Sequence, residues 1–132
     1  MNYVVFCGVA LGFIASAAAQ TLSPPTYTVE QAKRGEALFK ENCAELCHGH
    51  ALDNGEAPPL RGEPFKTHWG AGALDVPFLL MLEKMPPTNP GALGPQVYAD
   101  VLAFILSQND VPPSEKELPP DLAQLATMAA PK

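Results

Sequence analysis

The apolar positions of the chain recur at a helical period in three stretches, and no stretch alternates as a strand would. In the first stretch, Thr28 is followed three residues later by Gln31, which is the pattern of a helical capping box. The pattern predicts a helix from Thr28 to Glu41, in which a glycine leaves room for another element to approach the backbone. The apolar side of this helix consists of Ala32, Gly35, Leu38 and Phe39.

Two further helices are predicted in the second half of the chain. One begins at Asp75, a residue type that caps helices. It ends near Lys84, because Met85 precedes a proline and is pushed out of the helical region. The other opens at Gly94 and continues through Gln108. It has too many apolar positions for one narrow stripe, so we expect it to be buried on most sides.

The segments between and after these helices are rich in glycine and proline. Residues 49–74 predict a long loop, and a loop of this length in a small domain can stay ordered by packing against a large apolar ligand. Residues 111–132 predict a mobile, proline-rich tail with at most one helical turn. The sequence therefore predicts an all-α chain of three main helices joined by long loops.

The first residues resemble a targeting segment. Residues 3–19 carry no charge and end in three alanines, which predicts a secretory signal peptide at residues 1–19. An uncleaved anchor is the alternative, since the run approaches the length of a bilayer span. We expect cleavage, a periplasmic location and no stable membrane insertion. The mature chain would comprise a leader at residues 20–27, one domain at 28–110 and the tail at 111–132.

The charge balance limits the classes of partner. The chain has 8 Lys and Arg against 14 Asp and Glu, a formal net charge of -6. Nucleic acid is not an expected partner, because phosphate binding requires a basic surface. The same charge opposes docking on an acidic protein surface.

Two thiols and an imidazole stand close together at Cys43, Cys47 and His48. The haem-attachment motif Cys-x-x-Cys-His has one residue fewer between its cysteines. A disulfide across so short a ring would constrain little of the unfolded chain, and a zinc site would lack a fourth ligand, so covalent haem is the preferred interpretation. Spacings of three and four residues both share a helical face. Two thioethers therefore remain feasible, and attachment through Cys47 alone stays open.

A haem would also need axial ligands. His48 is the proximal candidate because it directly follows Cys47, whereas His50 and His68 are the competing histidines. For the distal position, Met85 heads a proline-stiffened segment at residues 85–91 that can hold its sulfur with little entropy left to lose. Met81 is the main rival, one helical turn earlier, and Met128 lies in the expected tail.

The chain resembles a class I c-type cytochrome, particularly the small cytochromes and cytochrome domains that accept electrons from periplasmic quinoprotein dehydrogenases. The resemblance covers residues 28–109. It rests on the cluster at 43–48, on residues 57–62, which are similar to the P-x-L-x-G loop of the family, and on residues 85–91 followed by the helix at 98–106.

The resemblance implies a cytochrome c-like fold with long loops wrapped around one covalently bound haem c. It implies attachment at Cys43 and Cys47 and axial ligation by His48 and Met85. The Pro58 carbonyl would accept a hydrogen bond from the His48 ring. The other implied roles are a haem contact for Leu60, propionate contacts for Trp69 and Arg61, and a crossing of Gly35 and Phe39 over the last helix near Val101 and Phe104.

These observations predict a carrier of single electrons with no substrate chemistry of its own. Its expected partners are a donor dehydrogenase, possibly a quinoprotein, and an acceptor such as a terminal oxidase or another cytochrome. A haem-based sensor or small peroxidase is an alternative that requires a displaceable distal ligand. An obligate cytochrome subunit of a dehydrogenase complex, with the tail lying on its partner, is another.

Overall fold

The computed structural model describes residues 21–132, so the predicted signal peptide lies outside the described residues. Within this part of the chain the elements are helical, apart from two isolated β-bridges, and the predicted all-α class is confirmed. No helix among residues 21–132 has the length and apolar character needed to span a membrane. The elements are α1 (Val29–Phe39), a π-helical segment (Lys40–His48), α2 (Gly62–Trp69), α3 (Asp75–Lys84), α4 (Pro95–Ser107) and α5 (Leu122–Leu125).

The start of α1 has the predicted cap. The Thr28 hydroxyl accepts the backbone N–H of Gln31 at 3.1 Å, which satisfies one of the unpaired donors of the first turn. The side chain of Gln31 does not form the second hydrogen bond of a capping box, to the backbone of Thr28. It is fully buried and donates to the carboxylate of Asp100 and to the carbonyl of Leu118. It thus ties α1 to α4 and to the C-terminal segment.

The crossing of α1 over α4 is the closest helix contact, and it depends on a glycine. A Cβ atom added at Gly35 would lie 1.8 Å from the carbonyl oxygen of Asp100, so only glycine allows this approach. One turn later the rings of Phe39 and Phe104 pack with their centroids 5.4 Å apart. The predicted crossing is therefore confirmed, as is the burial of α4, in which residues 98–106 are all buried.

The region predicted as a loop over residues 49–74 contains the helix α2. Glycine and proline at its start are residue types typical of loops, but Pro64 lies in the first helical turn, where its missing N–H costs nothing. The ring of Phe65 is buried and gives this helix a core contact. At α3 the cap also differs, since Leu74 occupies the N-cap position and Asp75 is the first helical residue.

Residues 111–132 differ from the mobile tail predicted by their proline content. Leu118 and Leu125 are fully buried, and α5 is the one helical turn expected there. The backbone N–H of Leu118 donates to Gln31 Oε1 at 2.6 Å, and Glu117 accepts from Arg34 at 2.8 Å. Local composition does not reveal such partners, because they lie more than eighty positions away in the sequence.

We expect Gly35→Ala to lower the free energy of unfolding by about 1–3 kcal/mol, the usual cost of overpacking. The added methyl group would force the α1 and α4 backbones apart. Urea unfolding of the mature chain measures this loss. Gly72→Ala is the matched control, since its added Cβ would meet nothing closer than the Trp69 carbonyl at 3.7 Å. Equal losses at the two glycines would contradict the crossing.

Leu118→Ala should lower the free energy of unfolding by about 2–5 kcal/mol, because it leaves a cavity in the core. Leu122→Ala removes the same atoms from a side chain that is 37 % exposed, so we expect a loss of less than about 1 kcal/mol there. Thermal and urea unfolding of both variants would test this. If Leu118→Ala were as mild as its control, the C-terminal segment would not be part of the core.

Candidate functional site

An apolar cavity opens between the π-helical segment, the loop before α2, α3 and α4. The free space within it, open solvent at its mouth included, is about 790 Å³. Its apolar lining includes Phe39, Leu60, Phe65, Trp69, Pro77, Leu80, Leu93, Val101, Leu102 and Ile105.

The π-helical segment carries the two thiols and the imidazole into this cavity. Its wide turn is visible at its end, where the N–H of Gly49 donates to the carbonyl of Ala44, five residues back, at 2.9 Å. A turn of this kind holds more residues than an α-helical turn. Cys43 and Cys47, four residues apart, therefore both line the cavity, together with His48. The wide turn accommodates the residue that the spacing has in excess.

His48 is buried and held in one tautomer. Its Nδ1–H donates to the Pro58 carbonyl at 3.2 Å, the contact that the resemblance implies, so the lone pair for a metal is on Nε2. Burial lowers the pKa of His48, and the bond to Pro58 opposes this only in part. The ring is therefore neutral at pH 7, as a metal ligand must be.

Asn109 fixes the loop that carries Pro58, and the sequence analysis did not identify it. Its side chain is almost fully buried, and the residue lies two positions after the last residue of α4. The amide nitrogen donates to the carbonyls of Leu60 at 2.9 Å and Ile105 at 2.8 Å, and the amide oxygen accepts from the N–H of Gly62 at 2.9 Å. Asn109 thus holds Leu60 and Gly62, which follow Pro58 in the same loop, against the turn after α4.

The two cysteines are free and partly buried. Burial raises the pKa of the Cys43 thiol to about 11, and the neighbouring Cys47 adds to this shift. Cys43 is therefore a thiol and not a thiolate at neutral pH. No three His, Cys, Asp or Glu side chains within residues 21–132 are arranged to hold a metal ion.

The side chains of two methionines line the same cavity. Met81 belongs to α3, and Met85 follows the end of that helix with an extended backbone, at φ -117° and ψ 141°. The N–H of Met85 donates to the carbonyl of Met81 at 3.1 Å. Its own carbonyl accepts from the N–H of Gly91 at 3.2 Å and from the hydroxyl of Tyr98. Met128 packs elsewhere and does not line the cavity.

Of the weaker candidates, Leu60 and Trp69 line the cavity, whereas Arg61 does not. The guanidinium of Arg61 is partly exposed and lies 3.6 Å from the carboxylate of Asp53. Neither competing histidine reaches the cavity. His50 contacts Glu45 at 2.8 Å on the surface, and the His68 ring meets the Trp69 ring edge-on, with centroids 4.4 Å apart.

Comparison with known proteins adds one independent finding. The model of the family described as cytochrome C oxidase, cbb3-type, subunit III matches residues 30–105, which is more than half of the chain. No curated protein and no solved structure matches the chain. The matched range runs from α1 to α4 and contains every residue that lines the cavity.

Proposed function

We propose that this chain, which belongs to the family described as cytochrome C oxidase, cbb3-type, subunit III, is a mono-haem electron carrier of the periplasm. Family membership gives it a c-type cytochrome domain with an all-α, cytochrome c-like fold and a covalently bound haem c. Such a domain transfers electrons. The bound haem supplies exchange of one electron between ferric and ferrous iron.

The observation that carries the proposal is the convergence of four side chains on one apolar cavity. Cys43, Cys47 and His48 come from the π-helical segment, and Met85 comes from the end of α3, almost forty residues later. The cavity fits haem by its chemistry, because its lining is almost wholly apolar and its donors are thiols, a neutral imidazole and thioethers. An imidazole and a methionine thioether are the iron ligands of cytochromes c, and two thiols are the groups that attach the haem covalently.

The proposed roles follow from these positions. Cys43 and Cys47 would form thioethers with the haem, His48 would bind iron through Nε2, and the Met85 sulfur would be the second iron ligand from the protein. Methionine ligation raises the reduction potential relative to other axial sets. The apolar lining has the same effect, since a medium of low polarity disfavours the extra charge of the ferric form.

Leu60 and Trp69 would contact the haem as part of the lining. We propose no cavity role for Arg61, whose guanidinium faces Asp53 on the surface. The domain would span residues 28–110, with residues 111–132 packed on it. This packing favours an independent electron carrier. It gives less support to the alternative, a subunit whose tail lies on a partner protein.

The partners belong to the same proposal. The description of the family favours a terminal oxidase as acceptor, and the resemblance to cytochromes of quinoprotein dehydrogenases favours a dehydrogenase as donor. Leu46, 88 % exposed beside Cys47, and Leu80, 37 % exposed at the cavity, offer apolar surface for brief contacts. Weak redox encounters use small surfaces of this kind, and the charge of -6 favours basic partners.

The first test is covalent attachment, measured on protein exported in a host that matures c-type cytochromes. We expect the pyridine haemochrome spectrum of two saturated vinyl groups and the denatured mass of one retained haem. Cys43→Ala should keep its haem through Cys47 and shift the spectrum toward one free vinyl. If the spectrum of the wild-type protein already shows one free vinyl group, Cys43 is not an attachment residue. If the wild-type protein carries no covalent haem, the proposed function is overturned.

The second test separates the two methionines. Met85→Ala should abolish the near-infrared band of thioether-ligated ferric haem and lower the reduction potential. The affinity for added imidazole should rise more than about tenfold, the effect of losing about 1.4 kcal/mol of competition. Met81→Ala is the matched control and should retain the band. The reverse outcome would assign the ligand to Met81, and imidazole affinity unchanged in both variants would favour a sensor or peroxidase with an open distal position.

A further inference from the structure

Tyr98 contacts the backbone of the segment that carries the proposed distal ligand. It lies in the first turn of α4, is only 2 % exposed, and its ring lines the cavity. Its hydroxyl donates a hydrogen bond to the carbonyl of Met85. The sequence analysis identified Tyr98 only as an apolar position of the buried helix.

The contact lies where the backbone of α3 leaves the helix. The carbonyl of Met85 has no partner within α3, because the helix ends at Lys84 and Met85 is extended. Gly91 supplies one donor to this carbonyl, from the far side of the loop at residues 85–91, and Tyr98 supplies the other. With the N–H of Met85 bound to Met81, every backbone polar group of Met85 has a partner.

The donor of this hydrogen bond, Tyr98, belongs to a well packed helix. Residues 98–106 of α4 are buried without a break, so the phenol extends from a helix that is packed along this whole stretch. Among the side-chain hydrogen bonds of the described residues, the Tyr98 hydroxyl alone links α4 to the backbone of residues 85–91. Removing the hydroxyl would leave the loop held at Met85 by its own internal bonds.

We propose that Tyr98 is a positioning residue that keeps Met85 directed at the haem iron through the Met85 carbonyl. The proposal rests on the proposed function, in which Met85 is the distal ligand. Tyr98 does not itself bind iron. It lowers the fraction of time in which Met85 leaves the iron and an external ligand can enter.

The experiment compares Tyr98→Phe with Tyr27→Phe in the full, haem-loaded protein. Tyr27 is the matched control, because it is 3 % exposed and its hydroxyl also donates to a backbone carbonyl, that of Val111, yet it does not line the cavity. Each variant loses one buried hydrogen bond, so their urea midpoints should fall by similar amounts. Imidazole titration of the ferric protein then separates a positioning role from a purely structural one.

We expect Tyr98→Phe to bind imidazole about fivefold more tightly than wild type, the fold-change that corresponds to one net hydrogen bond. The near-infrared thioether band should weaken in this variant and stay unchanged in Tyr27→Phe. Equal imidazole affinity in wild type and both variants would overturn the proposal while leaving Met85 as ligand. Absence of the thioether band in wild type would instead overturn Met85 ligation, and the role of Tyr98 with it.

Discussion

The site depends on the contact between α1 and α4 at Gly35. Because the two backbones touch there, the position of α1 relative to α4 is fixed at the level of main-chain atoms. The π-helical segment continues directly from α1 and carries Cys43, Cys47 and His48. Helix α4 supplies the opposite wall of the cavity and carries Tyr98 in its first turn, and Asn109 lies two residues after its end. The crossing therefore sets the distance between the thiols and the wall that faces them.

A buried carboxylate stabilises this crossing. Asp100, whose carbonyl meets Gly35, is only 5 % exposed, and its carboxylate accepts from Gln31, Arg34 and Gln96. A buried charge of this kind is tolerated only when it is paired and hydrogen-bonded. Arg34 and Gln31 also contact residues 117 and 118. The same network that holds α1 on α4 thus holds the C-terminal segment on both helices.

The sequence predicted the structural features that depend on the local spacing of residues. It did not predict the features that depend on contacts with residues distant in the sequence. The cap at Thr28, the burial of α4 and the cluster at 43–48 are local patterns. Helix α2 was not predicted because Gly62 and Pro64 are residue types typical of loops. The helix is stabilised by the burial of Phe65, which the local sequence does not reveal. Asn109 and Tyr98 were missed as site residues because each acts on a backbone carbonyl, Leu60 in one case and Met85 in the other, and no side-chain pattern marks a carbonyl as a partner.

In the described part of the protein the buried polar groups are paired, and the apolar core consists of two clusters. No buried side-chain nitrogen or oxygen among the described residues lacks a hydrogen-bond partner. The core, however, is divided into two clusters, and Trp69 and Met81 pack against both of them. These two side chains also line the cavity. Side chains of both clusters line the cavity, so a haem bound there would contact both and join them into one core. Covalently attached haem should accordingly stabilise the fold, because folding removes its apolar surface from water together with that of both clusters.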